Sequence, residues 1–126
     1  MTNDQAHIDI DGEIYTIDAF RGREGWKYLP KITKFIMPIV ESLGGAENVD
    51  ETKAISGISD LLSGDNAEEI FQLVQDLMNS VTKDGMKINF DKEFSQRYDV
   101  LLKLTLEVLK LNYLESFQRL ATTFSK

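Results

Sequence analysis

The final stretch of the chain constrains the fold most, because it contains no residue that would stop a helix. Neither glycine nor proline occurs between Phe94 and Ser125, and Asp91 is suited to cap a helix at its start. The sequence therefore predicts a helix over residues 91–124. About 30 residues at 1.5 Å each would span roughly 45 Å, which is long for a compact domain of this size.

The apolar residues of this predicted helix cover more of its circumference than a surface helix needs. One stripe consists of Phe94, Tyr98, Leu101, Leu102, Val108 and Leu109, and it is widened by Leu104, Leu106, Leu111, Tyr113, Leu114, Phe117, Leu120 and Phe124. A helix that is apolar nearly all round is buried on more than one side. Two interpretations remain open: it is the central helix of a bundle, or another chain covers residues 111–124.

The N-terminal segment has the pattern of a β-hairpin. Residues 8–17 alternate apolar and polar side chains around Asp11-Gly12, a strong signal for a tight turn. We expect Ile8, Ile10, Ile14 and Ile17 to supply the buried side. Because two strands alone are only marginally stable in water, this hairpin must pack against the helices.

Apolar spacings of three and four predict further helices at about residues 25–43, 51–62 and 66–82. The apolar stripe of the last of these consists of Ile70, Phe71, Val74, Leu77, Met78 and Val81. Pro38 is expected to kink the first of these, and Asn66 with Glu69 has the form of a capping box at the start of the third. Residues 86–90 form a candidate third short strand. The sequence thus predicts a single domain over residues 1–126. Its predicted fold class is mainly α, a small helical bundle with a long C-terminal helix and a short N-terminal β-hairpin.

Charge is distributed unevenly along the chain, whose net charge is −7. Residues 41–76 hold nine carboxylates against one base, Lys53, whereas residues 21–34 hold five bases against Glu24. An acidic protein without a dense basic stripe has no electrostatic means of holding a phosphate backbone, so direct nucleic-acid binding is disfavoured. The basic patch and the acidic middle allow head-to-tail association into a homo-oligomer, although a simple solvated surface explains both as well.

Few residues are available for catalysis or metal binding. The chain has no cysteine, and His7 is its one histidine, so thiolate sites and imidazole clusters cannot form within one chain. No window approaches the roughly 20 apolar residues of a membrane span. We therefore expect a cytoplasmic protein with no enzyme activity, no cofactor and no membrane partner.

The order of elements carries a family resemblance. A hairpin is followed by a helix that begins at Gly25-Trp26-Lys27-Tyr28, by an acidic middle, and by a last helix that contains Asn112-Tyr113 and then Glu115 and Phe117. In these features the sequence resembles the tail assembly chaperones of long-tailed bacteriophages, which often end with an asparagine-aromatic pair followed by an acidic and an aromatic residue.

The resemblance implies a non-enzymatic protein of the infected host's cytoplasm. Such chaperones bind the apolar, helical tape measure protein, keep it soluble and pass it to tail tube protein. The residues expected to contact a partner protein are Trp26, Asn112, Tyr113, Phe117, Leu120 and Phe124. A buried core stripe remains the alternative for the C-terminal residues of this set.

Two other functions remain open at this point. One is a phage structural or adaptor protein that is retained in the particle. The other is an acidic inhibitor or regulator that binds a basic protein surface.

Overall fold

The computed structural model describes residues 5–42 and 50–114. In chain order the elements are β1 (Gln5–Ile10), β2 (Glu13–Asp18), α1 (Gly22–Lys31), a first π-helical segment (Ile32–Ile36), α2 (Met37–Ser42), α3 (Glu51–Leu62), α4 (Ala67–Met78), β3 (Val81–Lys83), β4 (Met86–Lys87), α5 (Phe90–Glu93), α6 (Tyr98–Leu109) and a second π-helical segment (Lys110–Leu114). No helix within these two ranges is both long and apolar enough to cross a membrane.

The predicted fold class, mainly α with a hairpin only, is wrong, because the strands form a four-stranded antiparallel sheet in the order β1-β2-β3-β4. Tyr15 pairs with Lys83, and Ile17 pairs with Val81. The fold is therefore a mixed α/β fold. The predicted helix 66–82 ran too far, because Val81 fits the apolar spacing of α4 although α4 ends at Met78.

Two hairpin turns with left-handed backbone conformation connect strands of the sheet. Asp11 and Gly12 have φ of 55° and 86°, and Asp84 and Gly85 have φ of 53° and 78°. Positive φ at both central residues gives the two-residue turn whose twist matches that of paired strands. The second of these turns joins β3 to β4, so the candidate strand at 86–90 is shorter than predicted and lies at residues 86–87.

The buried face of the hairpin differs from the predicted one at Ile14. The first turn pairs Ile10 with Glu13, Ile8 with Tyr15 and Ala6 with Ile17, and residues that pair directly lie on the same face of a sheet. Tyr15 and Ile17 are therefore buried, whereas Ile14 points to the other face and is 53% exposed.

The predicted helix 25–43 is helical from Gly22 to Ser42 in three stretches. Between α1 and α2, the Met37 N–H donates to the carbonyl of Ile32, five residues earlier, as in a π-helix. Pro38, which has no N–H to donate, follows at once. A π-helical segment that ends two residues before Pro38 is thus the backbone irregularity found at this point.

The predicted helix 91–124 is not continuous. A turn containing Gln96, whose φ is 60°, separates the four-residue α5 from α6. The side chain of Asn89, not that of Asp91, caps α5 by accepting a hydrogen bond from the Lys92 N–H. Residues 115–124 of the prediction lie outside the described residues.

Helix α6 packs against α3 and α4, and seven of its twelve residues are buried. Glu51, the first residue of α3, pairs with Lys103 of α6 at 3.2 Å and with Lys110 of the second π-helical segment at 3.3 Å, which ties the start of α3 to both elements. These contacts hold α6 between its neighbours. Most of the apolar surplus predicted from the sequence is thus buried inside the fold over the described part of this helix, whereas Tyr98 at its start is 67% exposed.

Candidate protein-binding site

The asparagine-tyrosine pair near the end of the described chain makes contacts within the protein. The Asn112 Oδ1 accepts from the Phe20 N–H at 2.7 Å, and its Nδ2 donates to the Val108 carbonyl at 2.9 Å. The Tyr113 hydroxyl donates to the Gly25 carbonyl at 2.9 Å, and burial raises the pKa of Tyr113 to about 12. The pair therefore joins the C-terminal segment to the start of α1.

The other predicted contact residues have different surroundings. Trp26 follows the anchored Gly25 and is 72% exposed. The structure thus brings Asn112 and Tyr113 close to the Gly25-Trp26 turn of α1. Phe117, Leu120 and Phe124 lie outside the described residues, and partner binding by any of the six stays a prediction.

An aromatic groove opens between α3, α4, α5 and α6. Its volume is about 480 Å³. We define it by Leu62, Phe71, Phe90, Phe94, Tyr98 and Leu102, which all line it. Phe71 and Tyr98 are 43% and 67% exposed, which is unusual for large aromatic side chains.

Three rings form a continuous row along the floor of the aromatic groove. The ring centroids of Phe71 and Phe90 are 5.9 Å apart, and those of Phe90 and Phe94 are 5.1 Å apart, both in edge-on arrangements. Such pairs are favourable beyond the area they bury. Because Phe94 is only 1% exposed and Phe71 is 43% exposed, the row begins in the core and ends at the surface, which holds the exposed Phe71 ring in place.

The surroundings of the aromatic groove are acidic. Asp91 lines it, and no basic side chain of the described ranges does. Glu68 lies one helical turn before Phe71, so it projects from the same side of α4. An apolar floor with acidic neighbours can hold an apolar segment that carries basic residues.

Sequence reasoning placed Phe71 and Tyr98 in the core stripes of their helices and missed their exposure. For Phe71 a signal was present, because Ile70 precedes it and consecutive helical residues face different sides; Ile70 is the buried one, at 1% exposed. For Tyr98 the sequence contains no signal of exposure. Its spacing from Phe94 and Leu101 fits one continuous helix, and only the left-handed turn at Gln96 places it at a helix start.

A cluster of charged side chains lies where the sheet meets α5 and α6. Lys83 bonds Glu13 at 2.9 Å and Glu93 at 3.2 Å, and Arg97 bonds the same two carboxylates. The Tyr15 hydroxyl donates to Glu93 and accepts from Arg97. Each charge has an opposite partner, so this cluster connects elements of the fold.

The pKa shifts in this cluster follow from those partners. Hydrogen bonds from Lys83 and then Arg97 lower the pKa of Glu13 to about 2. Burial, followed by the bond to Glu93, raises the pKa of Tyr15. None of these shifts leaves a group poised to exchange a proton near neutral pH. Across residues 5–42 and 50–114, no three histidine, aspartate or glutamate side chains are grouped so as to hold a metal ion.

Comparison with known proteins identifies the family. A family model described as "Phage tail assembly chaperone protein, TAC" matches residues 11–125. No curated protein and no solved structure matches the chain. The matched range contains the whole aromatic groove and the Asn112-Tyr113 pair, and it covers far more than half of the sequence. The chain therefore belongs to the phage tail assembly chaperone family.

Proposed function

We propose that this chaperone binds an apolar helical segment of the tape measure protein in the aromatic groove and keeps that protein soluble while the tail is assembled. Membership of the family supports a role in tail assembly. The observation that carries the proposal is the exposure of two large aromatic side chains, Phe71 and Tyr98, in one groove. Phe71 is the outer end of the row of rings that begins in the core at Phe94. Exposed apolar surface of this kind marks sites of protein interaction.

The binding free energy of the aromatic groove can be estimated from the exposed area of Phe71 and Tyr98. A large aromatic side chain offers 150–250 Å², so covering the exposed parts of Phe71 and Tyr98 removes roughly 200 Å² from water. At about 25 cal/mol per Å² this contributes about 5 kcal/mol. Association costs at least about 4 kcal/mol, so the aromatic groove alone holds a segment weakly. Weak, reversible binding suits a protein that must release its client.

Charge selects among apolar segments. Asp91 at the groove and Glu68 beside it favour a segment with lysine or arginine next to its apolar face. They disfavour a segment flanked by acidic residues. The preferred client is thus an amphipathic helix with an apolar stripe and basic neighbours. Binding of an amphipathic helix in an apolar groove is a common mode of protein recognition.

We extend the proposal to the other properties that the family resemblance implies. The protein acts in the cytoplasm of the infected host, without catalysing a reaction, and passes the tape measure protein to tail tube protein. A chaperone of this kind leaves before the particle is complete. Mass spectrometry of purified particles is expected to find no copy of the chain; a stoichiometric copy would instead support a retained structural or adaptor protein.

Co-expression with the tape measure protein of the same phage tests the proposal. The wild-type chain should raise the soluble fraction of the tape measure protein, and the double variant Phe71→Ser/Tyr98→Ser should lose most of that effect. The matched control is Ile14→Ser/Met86→Ser, which removes two side chains that are 53% and 73% exposed on the sheet. Equal loss in both variants, or in neither, would contradict binding in the aromatic groove.

A further inference from the structure

We propose that a second cleft, between the end of β2, the start of α1 and the end of α4, is a docking site for an acidic segment of a partner protein. Its volume is about 830 Å³. We call it the Trp26 cleft and define it by Arg21, Arg23, Trp26 and Lys27, with Asp18 and Glu24. It shares no lining residue with the aromatic groove, so this inference stands independently of the proposed function.

The three bases of the Trp26 cleft are exposed, and the Lys27 Nζ lies 5.9 Å from the centroid of the Tyr28 ring, which also lines the cleft. Arg21, Arg23 and Lys27 all lie on the surface, and none of them forms an ion pair with another described residue. In the same ranges, the bases that do form ion pairs are Lys83, Arg97, Lys103 and Lys110. An acidic segment would therefore gain charge pairs at this cleft without displacing existing ones.

Trp26 gives the cleft an apolar platform. Its side chain is 72% exposed, and tryptophan and arginine are the residues most enriched among strongly contributing interface positions. The backbone beside it is fixed on two sides, since the Gly25 N–H donates to the Arg21 carbonyl at 2.9 Å and the Gly25 carbonyl accepts from Tyr113. A platform that is already positioned loses less entropy when a partner binds.

The charges in the cleft favour a peptide over a nucleic acid. Asp18 and Glu24 line it together with the three bases. A nucleic acid carries a negative charge at every phosphate, and some phosphates would lie against these two carboxylates. A protein segment can place neutral residues there and acidic residues at the bases.

Trp26 itself supplies the signal for a test, because it is the single tryptophan of the chain. The intact protein is titrated with a synthetic peptide, free of tryptophan and tyrosine, that alternates pairs of glutamate with leucine. The same peptide with glutamine in place of glutamate is the neutral probe. We expect a saturable change of Trp26 emission with the acidic peptide, weaker binding at higher ionic strength, and no saturation with the neutral peptide.

Charge reversal tests the location. Arg21→Glu/Arg23→Glu should weaken binding of the acidic peptide about tenfold or more, since two attractions become repulsions. The matched control, Lys53→Glu/Lys92→Glu, changes the net charge equally at two exposed bases outside the cleft and should retain the wild-type affinity. Circular dichroism confirms that all variants are folded, and Arg21→Gln/Arg23→Gln provides a milder second pair.

Four results would overturn the proposal. These are an unchanged emission, an equal loss in both charge-reversed variants, and equal binding of a single-stranded oligonucleotide. The fourth is an emission change on dilution of the protein alone, which would assign the cleft to a second copy of the chain. Because Phe71→Ser/Tyr98→Ser leaves the cleft intact, that variant should bind the acidic peptide normally whatever its effect on the tape measure protein.

Discussion

Replacing Asn112 with alanine should destabilise the fold without weakening client binding. The change removes two hydrogen bonds, from the Phe20 N–H and to the Val108 carbonyl. At about 0.5–1.5 kcal/mol each, the free energy of unfolding should fall by about 2 kcal/mol. With an unfolding entropy of about 2.1 cal/mol/K per residue over 126 residues, the midpoint of thermal unfolding should fall by roughly 7 °C.

The assay pairs thermal unfolding, followed by circular dichroism, with binding of the tape measure protein at a temperature where both proteins are folded. Asn66→Ala is the matched control, because the Asn66 side chain makes no capping hydrogen bond and its loss should cost under about 0.5 kcal/mol. An Asn112→Ala variant that unfolds at the wild-type temperature but no longer binds the tape measure protein would refute a purely structural role for this side chain. That result would make Asn112 a contact residue, as the sequence suggested, instead of an anchor.

Two further changes test the packing and the charge cluster. Gly57→Ala should destabilise the fold by about 1–3 kcal/mol, because its new Cβ would lie 2.8 Å from the Ile39 Cγ2; this cost outweighs a gain of about 1 kcal/mol in helix propensity. Denaturant unfolding of this variant and of the exposed control Ser56→Ala measures the difference, and a Gly57→Ala variant more stable than wild type would contradict the prediction. Glu13→Gln should lower the unfolding temperature near neutral pH but not near pH 2. Since the pKa of Glu13 falls from 4.5 to about 2 on folding, its contribution is complete above pH 4.5 and is lost as the pH falls towards 2. Melting curves of wild type, Glu13→Gln and the unpaired control Glu68→Gln across this range check it, and a deficit that persists at pH 2 would speak against the ion-pair explanation.

Local signals in the sequence identified the features that depend on a few neighbouring residues. Asp11-Gly12 gave the first hairpin turn, and the apolar spacing of residues 51–62 coincides with α3. Both depend on backbone preferences within a short window. The family resemblance, carried by element order and by Asn112-Tyr113, agrees with the family match.

The four-stranded sheet could not be read in the same way. β3 and β4 have three and two residues, too few for a periodicity to separate them from a continuing helix. Val81 continues the apolar pattern of α4, and only its pairing with Ile17, far away in the chain, makes it a strand residue. Such tertiary pairing overrides local preference.

The aromatic groove depends on a similar long-range effect. Its lining residues come from four helices. The exposure of Tyr98 follows from the left-handed backbone conformation of Gln96, which could not be predicted because this position is neither glycine nor asparagine. The roles of Asn112 and Tyr113 were also invisible, because their hydrogen-bond partners, Phe20 and Gly25, lie near the other end of the chain.

Photo-crosslinking tests the central proposal, client binding in the aromatic groove, most directly. A photoreactive phenylalanine analogue is placed at Tyr98 in the groove or, as a control, at Met86, which is 73% exposed on β4. Each variant is irradiated in cells that also make the tape measure protein. Crosslinks from position 98 to an apolar helical segment with basic neighbours, and none from position 86, are the predicted result. Crosslinks from position 86 but not from position 98 would contradict it.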